Sequence, residues 1–231
     1  MSQDYAFPPP ATPALPIAGS DQLFPVRRIY CVGRNYLEHA REMGLGERAP
    51  PFFFAKPADA VVPGGTGIPY PPRTDSLHHE IELVVALWRG GRDVEIDHAL
   101  ELVFGYAVGN DLTRRDLQTA AREKGHPWDL SKGCDQSAPV TAIVPVAQCG
   151  HPTAGRIWLE VNEVPRQHGD IADMIWSVPE IIAELSTYVA LAPGDLIFTG
   201  TPAGVGELRP GDRVLGGVEG VGILEHTIGA G

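Results

Sequence analysis

Cysteine, positive charge and long apolar runs are all scarce in this chain, and each scarcity closes off a class of function. The three cysteines, Cys31, Cys134 and Cys149, are odd in number and far apart, so neither a disulfide framework nor a cysteine zinc site is expected. Basic residues number 18 against 29 acids, a formal net charge of −11. That balance lacks the basic field that dominates nucleic-acid affinity and sets the chain against an anionic membrane surface. The longest clean apolar run, residues 83–88, is strand-sized and far below the roughly 20 residues of a membrane span. No Lys or Arg precedes Arg27, which argues against a secretory or transit leader and makes the cytoplasm the expected compartment.

What the chain has in excess is turn formers, 27 Gly and 22 Pro among 231 residues, above ordinary usage yet short of low complexity. With 43% hydrophobic residues it has the material for a core, and the pattern favours many short strands over a helical bundle. Residues 1–25 read as a Pro-rich extended arm in front of one domain over 26–231. Residues 26–33 read as a strand, 35–43 as a short helix stopped by Gly44, and 52–55 as a strand. Residues 80–88 begin with strict alternation and end continuously apolar, as a strand does when it runs from a polar mouth into a core. A helix is expected over 97–102, a strand over 103–110, and a helix over 112–124 with Asp111 as its N-cap. Ser177 and Glu180 form a capping-box pattern for a helix that carries Ile181, Ile182 and Leu185 on one face. Helices so few and so irregularly placed argue against regular βαβ winding and for an α+β, β-rich class.

Glu80 and Glu82 stand two apart in a strand and project from one face. At the mouth of a core such a pair needs a proton, cations or a metal to offset its repulsion. Asp111, at the end of another apolar strand, is a plausible third member, and three carboxylates without cysteine suit Mg2+ or Mn2+; a solvated strand edge is the alternative. At helical spacing Asp111, Arg115 and Gln118 share a stripe, suited to an anionic substrate held bidentately or else simply a solvent-facing surface. His39 and Glu42, three apart in the short helix, form either a surface pair or a carboxylate-oriented imidazole that takes a proton from water. The Gly/Pro loop that follows has the composition of a lid. Lys132 either holds a substrate oxygen or pairs with Asp135, and Lys56 presents the same choice. The glycines of 199–206 lack the Gly-Lys-Ser/Thr ending of a phosphate loop; they suit close backbone approach to a small ligand, with Thr201 as donor.

The segments RIYCVGRNYLEHAREMG, FFFAKPADA, HHEIELVVAL, GYAVGNDLTRRDLQ, VNEVPRQHGDIADMIWSVPEIIAELS and LAPGDLIFTGTPAGVG, in that order, resemble the fumarylacetoacetate hydrolase family from about Val26 onward. The resemblance is strongest to the members that hydrolyse fumarylpyruvate in gentisate-type aromatic degradation. It implies a mixed β-sandwich roll with a few short helices, a homodimer, and a Mg2+ or Mn2+ ion on Glu80, Glu82 and Asp111. It further implies His39 and Glu42 as the water-activating dyad and Lys132 as an oxyanion-stabilising group. Arg115, Gln118 and Thr201 are implied as substrate contacts, and Lys56 as a lysine near the lid. The expected substrate is then a small anionic diketo acid, with no nucleic-acid or membrane partner. Two other readings are oxaloacetate decarboxylation on the same site and a non-catalytic metabolite-binding protein. Two departures from the family pattern are Thr113-Arg114 where Ser-Ala is commoner and Asn162-Glu163 where Asn-Gly is usual.

Overall fold

In the computed structural model, which describes residues 5–36 and 49–230, the run that follows Glu80 becomes the strand Ile81–Leu87, buried along its whole length. Alternation sends Ile81, Leu83, Val85 and Leu87 into one apolar cluster and Val84 and Ala86 into a second on the opposite face. A strand covered on both faces has no place for a polar partner at every second position, hence the continuous apolar sequence.

This strand lies inside a mixed eight-stranded sheet, antiparallel to both neighbours, Asp195–Phe198 and Val103–Asn110. Arg28–Val32 pairs parallel to Asp195–Phe198, and Phe53–Lys56 forms the edge beyond it. A five-stranded sheet runs in the order Val164–Asp170, Arg156–Val161, Arg213–Val218, Gly222–Gly229 and Gly67–Pro69. Its Ile157, Leu159, Val214 and Leu224 pack into the cluster of Ile81 and Leu83. The helix Val178–Tyr188 adds Ile181, Ile182 and Leu185 to the same cluster, and at its start the Glu180 carboxylate accepts from the Ser177 N–H and hydroxyl at 2.9 and 2.7 Å. Curled sheets of eight and five strands, two smaller sheets and a few short helices make the β-rich roll that the sequence predicts. Among the described residues no helix is long and apolar enough to cross a membrane.

One local expectation gains detail and two need correction. The extended arm is more ordered than its composition suggests: Ala14–Pro16 and Leu23–Pro25 pair antiparallel, and Leu15 and Phe24 are buried in the second cluster with Val84 and Ala86. Proline hides such strands because it sits at their ends without donating to a ladder. The helix expected over 112–124 begins later, as Arg115–Glu123, because Thr113 and Arg114 are taken up by antiparallel pairing with His78 and Leu77. Asp111 is therefore not its N-cap. Asn35 and Tyr36 are not helical, Tyr36 bridging to Met174, and the rest of that expected helix, with His39 and Glu42, lies outside the described residues. Asn162 and Glu163 form a tight turn with φ of 52° and 66°, the left-handed pair that Asn-Gly adopts at least strain.

Candidate metal and anion site

Two adjacent strands change sheets at the same place. Leu77–His79 belongs to a three-stranded sheet and Ile81–Leu87 to the eight-stranded one, with Glu80 between them. On the neighbouring chain segment Val103–Asn110 gives way to Thr113–Arg114, again in the three-stranded sheet, and Asp111 follows the break. The Asp111 N–H donates to the Glu80 carbonyl at 2.8 Å, and the Glu80 N–H to Asn110 Oδ1 at 2.7 Å, so the corner stays laced across the break. Glu82 follows at strand spacing. The structure thus brings Glu80, Glu82 and Asp111 together, all buried, each offering one carboxylate oxygen, with these oxygens within 4.8 Å of one another.

The three acids are not equally compensated. Glu80 meets the Arg115 guanidinium and, at 2.7 Å, Lys132 Nζ. Burial disfavours its ionised form, but the charges of Lys132 and Arg115 overcome that and hold the carboxyl below its usual range. Lys132 also reaches Asp111 Oδ2 at 2.7 Å. Burial works against its ammonium, and Asp111 and Glu80 more than restore it, so the lysine stays charged. Lys56 Nζ lies 2.8 Å from Asp111 Oδ1 but directs its protons elsewhere. It meets the Lys132 carbonyl, the Leu112 carbonyl at 3.1 Å and Ser137 Oγ at 3.0 Å. Asp111 Oδ1 thus has an ionic neighbour and, among the described residues, no hydrogen-bond donor.

Among the described residues Glu82 has no cation against it, only the Gly200 N–H at 2.7 Å from Oε2. Burial, then the nearby charges of Asp111 and Glu80, push its carboxyl well above the usual range. Gly200 has to be glycine: its φ is +97° and a Cβ there would stand 2.8 Å from the Asn35 Cβ. An undercompensated buried carboxylate, a second with an oxygen that lacks a donor, and a donor set made only of oxygens together fit a hard divalent cation.

Behind the corner lies a second layer of polar groups. Gln167 uses all four hydrogen-bonding positions of its amide. Oε1 accepts from His79 Nδ1 at 2.8 Å and the Ile81 N–H at 3.1 Å; Nε2 donates to Thr201 Oγ1 at 2.7 Å and the Pro202 carbonyl at 2.9 Å. The amide ties the Gly-rich loop to the strand that carries the acids. Asn110 passes the tie on, donating to the buried His226 Nε2 at 3.0 Å. Burial, then the charge of His79, pushes the His226 imidazole down to about 4.

A cleft of about 130 Å³ opens over Glu80. Its wall holds Arg115, Gln118 and Lys132, as the sequence predicts, together with Arg34, Arg122 and Trp128, which sequence reasoning missed. Arg115 donates to Gln118 Oε1 as well as to Glu80. Arg122 was within reach, since Arg115, Gln118 and Arg122 lie at helical i, i+3 and i+7 spacing. Arg34 carried no such signal. Thr201 and Lys56 are buried and do not line the cleft; one is held by Gln167, the other lies against Asp111. Lys132 pairs with Glu80 and Asp111 rather than with Asp135.

Comparison with known proteins agrees with this geometry. Residues 28–229 match the fumarylacetoacetate hydrolase C-terminal domain, and the chain belongs to that family. It is 47% identical over 178 residues to fumarylpyruvate hydrolase of a Ralstonia species, covering 77% of this chain and 92% of the relative. It is 43% identical over 195 residues to the mitochondrial oxaloacetate tautomerase of Rattus norvegicus, covering 84% and 88%. The crystal structure of fumarylpyruvate hydrolase from Pseudomonas aeruginosa in complex with Mn2+ and pyruvate superposes with a TM-score of 0.96 at 52% identity, over 99% of this chain and 100% of that one.

Proposed function

We propose that the protein is a divalent-metal-dependent hydrolase that splits a carbon–carbon bond of a 3-acylpyruvate, with fumarylpyruvate, cleaved to fumarate and pyruvate in gentisate-type degradation, as its substrate. The observation that carries the reading is Glu82, buried beside two further acids with one backbone N–H to hold it, beneath a cleft rimmed by cations. The Mn2+ and pyruvate complex of a relative with the same fold supports it.

Glu80, Glu82 and Asp111 would hold Mg2+ or Mn2+, which when bound polarises the oxygens of an α-keto acid and offsets charge on the departing enolate. The remaining work falls to the chain's own groups. Arg115, steadied by Gln118, orients the substrate carboxylate beside Glu80. Lys132, kept protonated by its two acids, directs its remaining proton to the acyl oxygen as charge develops there. Lys56 fixes Asp111 from behind. Thr201, whose oxygen accepts from Gln167, fixes the Gly-rich loop behind the acids and does not reach the substrate from the cleft wall. His39, oriented by Glu42, takes a proton from water. The water oxygen adds to the acyl carbonyl carbon, the bond from that carbon to the pyruvate methylene breaks, and a proton delivered to the methylene completes pyruvate. The working unit in this proposal is a homodimer, for which light scattering would give about twice the 24.8 kDa of the chain.

A second reading rests on the 43% identity to an oxaloacetate tautomerase. Enolising or decarboxylating oxaloacetate uses the same acids and cations but needs no attacking water. Incubating the Mn2+-loaded protein with fumarylpyruvate and with oxaloacetate separates the two. Fumarate and pyruvate formed in equal amounts support hydrolysis. Loss of the oxaloacetate enol absorbance, or release of carbon dioxide, with no fumarate from fumarylpyruvate would replace the first reading by the second.

A further inference from the structure

The cleft holds more positive charge than its described acid accounts for. Arg34, Arg115, Arg122 and Lys132 face it, against Glu80 alone, in a protein whose formal net charge is −11. Arg115 and Lys132 are matched by the acids of the inner wall. Arg34 and Arg122 have no ion pair among the described residues, and Arg34 Nε is buried without a hydrogen-bond partner. Burial, and then the charge of Arg122, lower the Arg34 pKa. Two like charges held toward one small space are unfavourable until an anion lies between them.

Among the described residues Arg34 is held in place by aromatic rings and not by an acid. Its guanidinium lies 5.4 Å from the Phe52 ring centroid; Phe52 meets Trp128 edge-on at 5.4 Å, Trp128 meets Phe54 at 5.8 Å, and Lys132 Nζ lies 4.9 Å from Phe54. Phe52 lies so close over Gly33 that a Cβ at residue 33 would fall 2.0 Å from its ring. An aromatic wall therefore spans from the lysine of the inner site to the outer arginine. It fixes the guanidinium through a ring face and leaves its terminal N–H groups available to a ligand. Arg122, one helical turn beyond Gln118, is exposed on the same cleft.

We propose that Arg34 and Arg122 form a second anion subsite that holds the distal carboxylate of a dicarboxylic acylpyruvate, so that the cleft selects substrates charged at both ends. The inference rests on the acylpyruvate reading above and deepens it: the inner cations and acids take the pyruvyl end, and the outer arginines take the acyl end.

The test compares two substrates that differ at the distal group, fumarylpyruvate and acetylpyruvate, in the wild-type Mn2+-loaded protein and in the variants Arg34→Gln and Arg122→Gln. The ratio of kcat/KM for fumarylpyruvate over acetylpyruvate falls about tenfold to a hundredfold in each variant, as the loss of a charged hydrogen bond predicts, and KM carries the change. A ratio within twofold of wild type in both variants overturns the subsite. A binding arm keeps this failure distinct from failure of the reaction assignment. By calorimetry fumarate binds the wild type at least about tenfold tighter than crotonate, which lacks one carboxylate, and the preference disappears in both variants. If the wild type turns over neither acylpyruvate, the reaction reading falls, while a fumarate preference that the variants abolish still supports the subsite. Equal affinity for fumarate and crotonate in the wild type overturns it.

Discussion

The inner and outer walls of the cleft handle charge in opposite ways. At the inner wall Glu80, Glu82 and Asp111 are buried, and the cations beside them are assigned: Lys132 spans Glu80 and Asp111, Lys56 backs Asp111, and Arg115 holds Glu80. At the outer wall Arg34 and Arg122 face the cleft with no acid against them among the described residues. Desolvation makes the difference. A charge that has already lost its water must be matched inside the fold, so its removal appears as instability. A guanidinium that keeps part of its hydration can wait for an anion from outside, and its removal is felt by the ligand.

The sharpest break of that contrast is Glu82→Gln, which removes the inner acid that no cation among the described residues pairs with. Turnover should fall by about 10³-fold or more, and the rise in melting temperature given by excess Mn2+ should vanish in calorimetry, while the metal-free protein melts no lower than wild type. Asp111→Ala should behave differently, because it strips Lys56 of its ionic partner and Lys132 of one of two. A loss of about 3–5 kcal/mol in urea unfolding is expected, and a loss below about 1 kcal/mol would place this acid with the outer wall.

Proton linkage supplies a third, smaller effect. The folded His226 titrates near 4, below its ordinary 6.5, so the unfolded chain binds the proton first as pH falls. Stability is then full above about 6.5 and declines between about 6.5 and 4, by on the order of 2–3 kcal/mol from this group. His78, also pushed down to about 4 by burial, then by Arg115 and His79, adds in the same direction. His226→Gln should flatten the slope of unfolding free energy against pH in that window; an unchanged slope would remove His226 from the account. Smallest of all, Arg122→Gln should change unfolding free energy by less than about 0.5 kcal/mol, since the side chain is exposed.

The inner acids were legible because period two fixes which face a strand residue takes: Glu82 keeps step with Val84 and Ala86, and Glu80 stands at the break just before the strand. The helix Val178–Tyr188 was legible from Ser177 and Glu180, whose chemistry is local. What was not legible depends on partners distant in sequence. Asp111 looks like an N-cap until Thr113 and Arg114 are claimed by His78 and Leu77. Lys132 has Asp135 close in sequence, yet it turns to Glu80 and Asp111 across the corner. Arg34 is placed by Phe52 and Trp128, rings that no spacing rule connects to it. The arm was read as extended, but its strand pairing and the anchoring of Leu15 and Phe24 in the core were not legible, since neither shows as a period in a Pro-rich stretch.

The corner at Glu80 and Asp111 also bears on how such a protein can change. Its ligand set hangs where two sheets trade strands, so slipping the Ile81–Leu87 register by one residue would carry Glu82 to the wrong face and exchange the side chains that fill the two clusters. No small edit moves one acid and spares the rest, whereas Arg34 and Arg122 lie on the rim, outside that corner. Chemistry is inherited there as a block and substrate preference residue by residue, which makes the rim the place to retune this scaffold toward another acyl chain.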